Sequence, residues 1–235
     1  MFCRNDGPSH RCACVLAPFL TLFLLLPMRA EGACPDFAPP VSYGVGFLPI
    51  SAAAGDFNGD GRPDLVVGNS FSSNVSVLLA NGPGTFAAAV TYATAGGAYS
   101  VVTADFDRDG DLDLAAVIPS ANTISILEGN GNGTFAPATS VAVNAPTFLV
   151  AADVDRDGTV DLVVASGGMN TIAILEGDGG GAFAAPVYFP SGGSGPSSVA
   201  VDDFNRDGAP DVLAANQTGT NIALLLGDGL GRFAA

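Results

Sequence analysis

The sequence predicts an all-β chain, a β-propeller-type array of four four-stranded antiparallel blades. Three observations predict it. A nine-residue acidic segment recurs four times. A Gly-rich turn ending in Phe follows each copy at a fixed distance. The runs between these markers are short, rich in Val, Ile and Leu, and bounded by Gly, Asn and Pro, and none carries a helical apolar period.

The repeat sets the frame. DFNGDGRPD at 56–64 returns as DFDRDGDLD at 105–113, DVDRDGTVD at 153–161 and DFNRDGAPD at 203–211. The spacings between first residues are 49, 48 and 50. Phe86, Phe135, Phe183 and Phe233 each stand 30 residues after the first Asp of their copy. Two markers holding one offset through four copies define a unit of about 49 residues.

Within a unit the first strand is the small-residue run before the acidic loop, at 51–55, 100–104, 149–152 and 198–201. The second follows the loop at 65–68, 112–118, 160–165 and 212–215. The third lies at 75–79, 123–127, 171–175 and 221–226. Asn-Gly or Asp-Gly pairs at 81–82, 130–131, 178–179 and 228–229 favour positive φ and a tight reversal. The fourth strand follows the Phe, as at 138–143 and 187–189. Four strands in such a unit is the pattern of a propeller blade. The Ala and Gly of the first strand suit the slim innermost position of a tapering blade. A solenoid turn is usually much shorter, and a separate sandwich domain cannot close in this length.

Segment 36–43 (DFAPPVSY) resembles the start of a fourth strand, and Phe37 to Phe233 spans 196 residues, four times 49. Two arrangements accommodate this. The N-terminal strand completes the last blade of a closed four-blade ring, or the blades form an open part of a longer array.

Residues 1–33 read as a secretory signal. Arg4, His10 and Arg11 precede an apolar run at 12–26, and the small residues Ala30, Gly32 and Ala33 offer a cleavage site. The run is short for a bilayer span. The expected product, 34–235, is secreted or cell-surface, with no membrane span after signal removal. A lipid anchor through Cys34 is the alternative, although Glu31 fits a lipidation box poorly. Cys3, Cys12 and Cys14 fall within the signal, which leaves no disulfide framework.

Eight basic residues, all Arg, stand against 23 acidic ones, for a net charge of −15. Such a chain repels phosphate backbones, so no nucleic-acid partner is expected. The single histidine, His10, lies in the signal, and the remainder lacks the commonest general base and transition-metal ligand. The chain is therefore expected not to be an enzyme.

Each acidic loop places oxygen side chains at positions 1, 3, 5 and 9 and Gly at position 6. The candidate ligands are Asp56, Asn58, Asp60 and Asp64; Asp105, Asp107, Asp109 and Asp113; Asp153, Asp155, Asp157 and Asp161; and Asp203, Asn205, Asp207 and Asp211. A backbone carbonyl at position 7 completes each set, from Arg62, Asp111, Thr159 and Ala209. Hard oxygen donors at this density select Ca²⁺, up to four ions. An EF-hand fails, because its twelfth position is Val67, Ala116, Val164 or Ala214 rather than Glu. Loops 2 and 3 carry a carboxylate at all of positions 1, 3, 5 and 9, whereas Asn replaces one in loops 1 and 4, so loops 2 and 3 are expected to bind more tightly. Removing Asp6 and Glu31 with the signal leaves 21 acidic residues, of which 15 lie in these loops. Such crowded like charges repel without a cation, so calcium and folding are expected to be coupled. Arg108, Arg156 and Arg206, at the fourth loop position, are expected to screen carboxylates.

The pattern D-x-[DN]-x-D-G-x-x-D, followed by a Gly-rich turn and Phe-Ala-Ala or Phe-Ala-Pro, resembles the FG-GAP or VCBS repeat across 36–235. That family forms the β-propeller of integrin α subunits and of many bacterial secreted proteins. The resemblance implies calcium held in the hairpin between the first two strands of each blade. It also implies binding of an extracellular protein or glycan through loops on one face. Family propellers usually have seven blades, whereas four copies stand here.

The functional expectation is a calcium-binding adhesion or interaction module. The alternative is a catalytic or non-catalytic module of a secreted glycan-acting enzyme or lectin. Glu128 and Glu176 occupy one position in neighbouring units, where the others have Leu79 and Leu226, and paired carboxylates can serve as acid and base. The competing reading is two strand-end residues at the solvent edge. Tyr43, Tyr92, Tyr99 and Tyr188 are mostly assigned to equivalent fourth-strand positions, which favours packing over a sugar platform.

Overall fold

The computed structural model describes residues 3–5, 12–14 and 39–234, and the chain divides into two compact units, 1–42 and 43–235. In the first unit β1 (Cys3–Asn5) pairs antiparallel with β2 (Cys12–Cys14). The proposed cleavage site and Cys34 lie outside the described residues. No described helix is long and apolar enough to cross a membrane.

The second unit holds four antiparallel sheets, each of four strands in chain order. Sheet 1 comprises β3 (Pro49–Gly55), β4 (Asp64–Asn69), β5 (Asn74–Leu78) and β8 (Val90–Ala93). Its Gly-rich turn carries a small ribbon of β6 (Ala80–Gly82) and β7 (Thr85–Phe86). Sheet 2 comprises β9 (Ser100–Ala104), β10 (Asp113–Ile118), β11 (Thr123–Leu127) and β12 (Thr139–Ala142). Sheet 3 comprises β13 (Pro146–Ala152), β14 (Asp161–Ser166), β15 (Thr171–Leu175) and β16 (Val187–Pro190). Sheet 4 comprises β17 (Pro196–Asp202), β18 (Asp211–Asn216), β19 (Asn221–Gly227) and β20 (Phe233–Ala234). The described residues contain no α-helix, only two three-residue 3₁₀ turns, Pro119–Ala121 and Gly167–Met169.

In sheets 2 and 3 the β-branched and leucine-rich second and third strands find apolar neighbours on both faces. All six residues of β10 are buried, as are all six of β14. A sheet covered on both faces reads as a continuous apolar run rather than as alternation. Three cores result. Phe57, Val66, Val75 and Val77 of sheet 1 pack with Val101, Leu114, Ala116 and Leu127 of sheet 2. Ala115, Val117, Ile124 and Ile126, on the opposite face of sheet 2, meet Leu149, Leu162, Val164 and Leu175 of sheet 3. Val163, Ala165, Ile172 and Ile174 meet Val199, Val212, Ala214 and Leu225 of sheet 4. Each large aliphatic chain fully buried this way contributes about 1.5–3 kcal/mol.

The Ala-rich first strands β3, β9, β13 and β17 lie beside one another in succession, as their slim side chains allow. Among the described residues no fourth core joins sheet 4 back to sheet 1, so the second unit is an open array. The sequence offers segment 36–43 as a fourth strand of the last sheet in a closed ring, or as part of an open array. Residues 36–38 lie outside the described set, and residues 39–43 form no strand. Among the described residues the outer edge of β19 is paired only at Leu226 and Gly227, by β20.

Candidate metal-binding loops

Each acidic loop joins the first strand of a sheet to the second. Gly at position 6 makes the reversal possible: Gly61, Gly110, Gly158 and Gly208 have φ of +79°, +95°, +87° and +92°, where a side chain is strained. Position 4 is left-handed too, Gly59 in loop 1 and Arg108, Arg156 and Arg206 in the others. The two left-handed residues fold positions 1, 3 and 5 around a common centre.

The ninth-position aspartates, Asp64, Asp113, Asp161 and Asp211, are buried. Asp113 Oδ2 accepts from the Phe106 backbone N–H at 2.8 Å and Oδ1 from Gly129 at 2.7 Å. Asp161 accepts from Val154 at 2.9 Å and Gly177 at 2.9 Å. Asp64 does the same with Phe57 and Ala80, and Asp211 with Phe204 and Gly227. These residues tie the loop to the far end of the third strand, a structural role that loop spacing alone does not reveal. Burial pushes the carboxyls of Asp113 and Asp161 up to about 6, against the pull of those backbone donors.

The remaining ligand candidates divide the loops into two kinds. In loop 2 the carboxylates of Asp105, Asp107 and Asp113 bring ligand atoms within 4.8 Å of one another, and in loop 3 those of Asp153, Asp155 and Asp161 do so. Asp105 Oδ2 accepts from Gly110 N at 3.0 Å and Asp153 Oδ2 from Gly158 N at 3.0 Å. Their Oδ1 atoms are buried with no hydrogen-bond partner. An unpaired carboxylate oxygen removed from water is costly, and a cation among three carboxylates is the natural partner. Loops 2 and 3 therefore fit a hard divalent cation.

Loops 1 and 4 satisfy themselves. Asp60 N–H donates to Asp56 Oδ1 at 3.1 Å and to Asn58 Oδ1 at 3.0 Å. Asp207 N–H donates to Asp203 Oδ1 at 3.1 Å and to Asn205 Oδ1 at 2.8 Å. The Asn58 amide donates to Asp60, and the Asn205 amide to Asp207, which occupies a carboxylate oxygen in each. Arg62 forms an ion pair with Asp60 at 2.6 Å. In these two loops a cation competes with bonds already made.

Asp109 and Asp157 aim an oxygen at the next backbone: Asp109 accepts from Asp111 N at 2.8 Å and Asp157 from Thr159 N at 2.7 Å. The Thr159 donors hold the Asp157 carboxyl below its ordinary range, and Arg108 of the preceding sheet adds to the effect. Asp207 is lowered by the Ala209 N–H and the Asn205 amide, with Arg156 contributing. Asp111, at position 7, packs its carboxylate over Gly131.

The arginines reach across sheets. A Cβ placed on Gly179 stands 3.2 Å from Arg108 Nε, and one on Gly229 stands 3.4 Å from Arg156 Cδ. The Gly-rich turns pack on the loop of the preceding sheet, with Gly133 N–H donating to Phe57 O at 2.7 Å. Glu128 leans on Gly181 and Glu176 on Gly231, in successive seams. The marker phenylalanines belong to the seams as well: Phe135 meets Phe57 at 5.4 Å, and Phe183 meets Phe106 at 5.3 Å, both edge-on. The tyrosine assignment needs correction. Tyr43 and Tyr92 are equivalent, but Phe189 takes that place in sheet 3, packing on Phe233 at 5.5 Å. Tyr188 packs into the second core, and Tyr99 directly precedes β9.

Comparison with solved structures shows a shared fold. A lectin of Agrocybe aegerita, solved for its specific recognition of non-reducing terminal N-acetylglucosamine, matches at 24% identity with a TM-score of 0.56, over 77% of this chain and 50% of that one. BBS1N, solved in complex with ARL6DN, matches at 14% identity with a TM-score of 0.56, over 82% and 57%. The chain thus spans about half the length of these neighbours. Comparison with curated proteins gives no match. The model of the FG-GAP-like repeat matches at 56–116, 109–164 and 153–214. With the acidic loops, the Phe-ended turns and the four-stranded units in place, the chain belongs to the FG-GAP-like repeat family.

Proposed function

We propose that this chain is an extracellular, calcium-stabilised interaction module built from propeller-type blades. The observation that carries the reading is the pair of buried, unpartnered oxygens Asp105 Oδ1 and Asp153 Oδ1, each within a cluster of three carboxylates. Calcium is held in loop 2 by Asp105, Asp107 and Asp113 and in loop 3 by Asp153, Asp155 and Asp161. Bound there, the ion supplies positive charge that offsets the repulsion of the cluster and fixes the loop connecting two strands. Loops 1 and 4 bind more weakly. The role is binding rather than catalysis, supported by the placement of Glu128 and Glu176 in separate seams instead of facing one another across a cleft. The ligand is an extracellular protein or a glycan, in keeping with the sugar recognised by the Agrocybe aegerita lectin.

Calorimetric titration with Ca²⁺ tests the reading. Two tight ions are expected, one lost in Asp105→Asn and the other in Asp153→Asn. Unchanged stoichiometry in both variants overturns it. A glycan array probed with and without EGTA then separates a sugar ligand, bound only with calcium, from a protein ligand.

A further inference from the structure

Phe135 receives two rings from the preceding sheet, Phe57 at 5.4 Å and Tyr92 at 5.3 Å. Its counterpart in sheet 1, Phe86, receives one among the described residues, Tyr43 at 5.4 Å. The place that Phe57 fills against Phe135 is open against Phe86. At the other end of the array the matching ring is spare. Phe204 is 43% exposed, whereas its counterparts Phe57 and Phe106 are each 2% exposed.

The faces around these rings follow the same rule. Ile222 and Leu224 of β19 are 69% and 38% exposed, while their counterparts Ile124 and Ile126 in sheet 2 are 0% and 2% exposed against the next sheet. On the opposite end, Ala52 is exposed where its counterpart Val101 is buried, and Leu65 and Val67 are half-buried where Leu114 and Ala116 are fully buried. The arginines add a third correspondence. Arg108 Nη2 stands 3.5 Å from a Cβ placed on Gly158, and Arg156 Nη1 stands 3.8 Å from one on Gly208, in each case at the sixth loop position of the following sheet. Arg206 has the same left-handed backbone, φ 65° against 63° and 64°. The sixth-position residue of sheet 1 is Gly61, with open space around it.

We propose that a second copy of this chain docks head to tail, the outer face of sheet 4 in one copy stacking on the outer face of sheet 1 in the next. Phe204 packs on Phe86, Arg206 reaches the loop turn at Gly61, and Ile222 and Leu224 cover Ala52, Leu65 and Val67. The contact continues the seam that already joins sheets 1 to 2, 2 to 3 and 3 to 4. A second copy is the occupant because one chain displays both halves of the seam, ring for ring and face for face. The two patches differ, so the interface is heterologous.

Sedimentation velocity of the full chain in calcium, over rising concentration, tests this. The wild type is expected to shift from one chain to two or more. Ile222→Asp on sheet 4 and Ala52→Glu on sheet 1 each weaken association at least tenfold, with unchanged melting because both sites are exposed. Leu224→Lys repeats the sheet 4 block independently. Mixing Ile222→Asp with Ala52→Glu chains restores a complex of two chains and no larger, since each brings one intact face. A wild type that stays single at every concentration overturns the proposal. So does association that ignores these substitutions, or a mixture that remains single chains.

Discussion

Asp113 Oδ1 accepts a hydrogen bond from the backbone N–H of Gly129 at 2.7 Å. The same bond recurs from Ala80 to Asp64 at 2.7 Å, from Gly177 to Asp161 at 2.9 Å and from Gly227 to Asp211 at 2.9 Å. A residue read from spacing as the closing ligand of a loop is therefore also a buttress between the loop and the third strand. The two roles separate experimentally.

Replacing Asp161 with Ala orphans two N–H groups, those of Val154 and Gly177. Leaving buried donors unpaired costs about 1–3 kcal/mol each. Asp161→Ala is expected to lose about 2–6 kcal/mol in urea unfolding even without metal. Asp153→Asn keeps its shape and loses little in the same metal-free measurement. Equal losses in the two variants contradict the buttress.

The marker phenylalanines yield a graded test. Phe135 is buried between two rings, and Phe86 is only partly covered. Phe135→Ala is expected to cost about 3–5 kcal/mol by thermal melting. Phe86→Ala is expected to cost clearly less in the single chain. A reversed order contradicts the seam described here.

Acidity works against the usual direction in this protein. The carboxyls of Asp113 and Asp161 ionise near 6 in the fold, against an ordinary value of 3.8. Between those values the folded state binds more protons than the unfolded chain, so metal-free stability falls as pH rises from about 4 to 6. Below that window both states are protonated, and above it both are ionised. Calcium favours the carboxylates and reverses the slope. Melting curves of metal-depleted and calcium-loaded protein across this window check both signs.

Asn58 and Asn205 make the case for loop strength. Their amides occupy an oxygen of Asp60 and of Asp207. Asn58→Asp removes that donor and adds a charge, and it is expected to raise the number of tightly bound calcium ions by one. Titration calorimetry reads the count directly.

Much of the fold is legible in the sequence because repetition makes local signals reinforce one another. The second and third strands fall within a residue or two of the Val and Leu runs, and β9, β11 and β15 have the expected bounds. The first strands reach further back than their small residues imply, to Pro49, Pro146 and Pro196, in each case past an irregularity in pairing. The difference between loops is legible as well, since Asn in place of Asp changes hydrogen bonding locally. Relations between sheets are not. The reach of Arg108 to Gly179, the stacking of Phe135 on Phe57 and the exposure of Ile222 depend on which face meets a neighbour, and a period of two residues does not say which sheet lies beyond it. The partner of segment 36–43 is not legible for the same reason: likeness to the start of a fourth strand does not say which sheet that strand joins.

The most direct measurement is the melting temperature of the purified chain with saturating calcium and after exhaustive chelation, read beside the number of ions bound. Two tightly held ions and a clear rise in melting temperature are expected, with Asp105→Asn and Asp153→Asn each removing part of the rise. A chain that melts at one temperature in both conditions and binds no calcium contradicts the account.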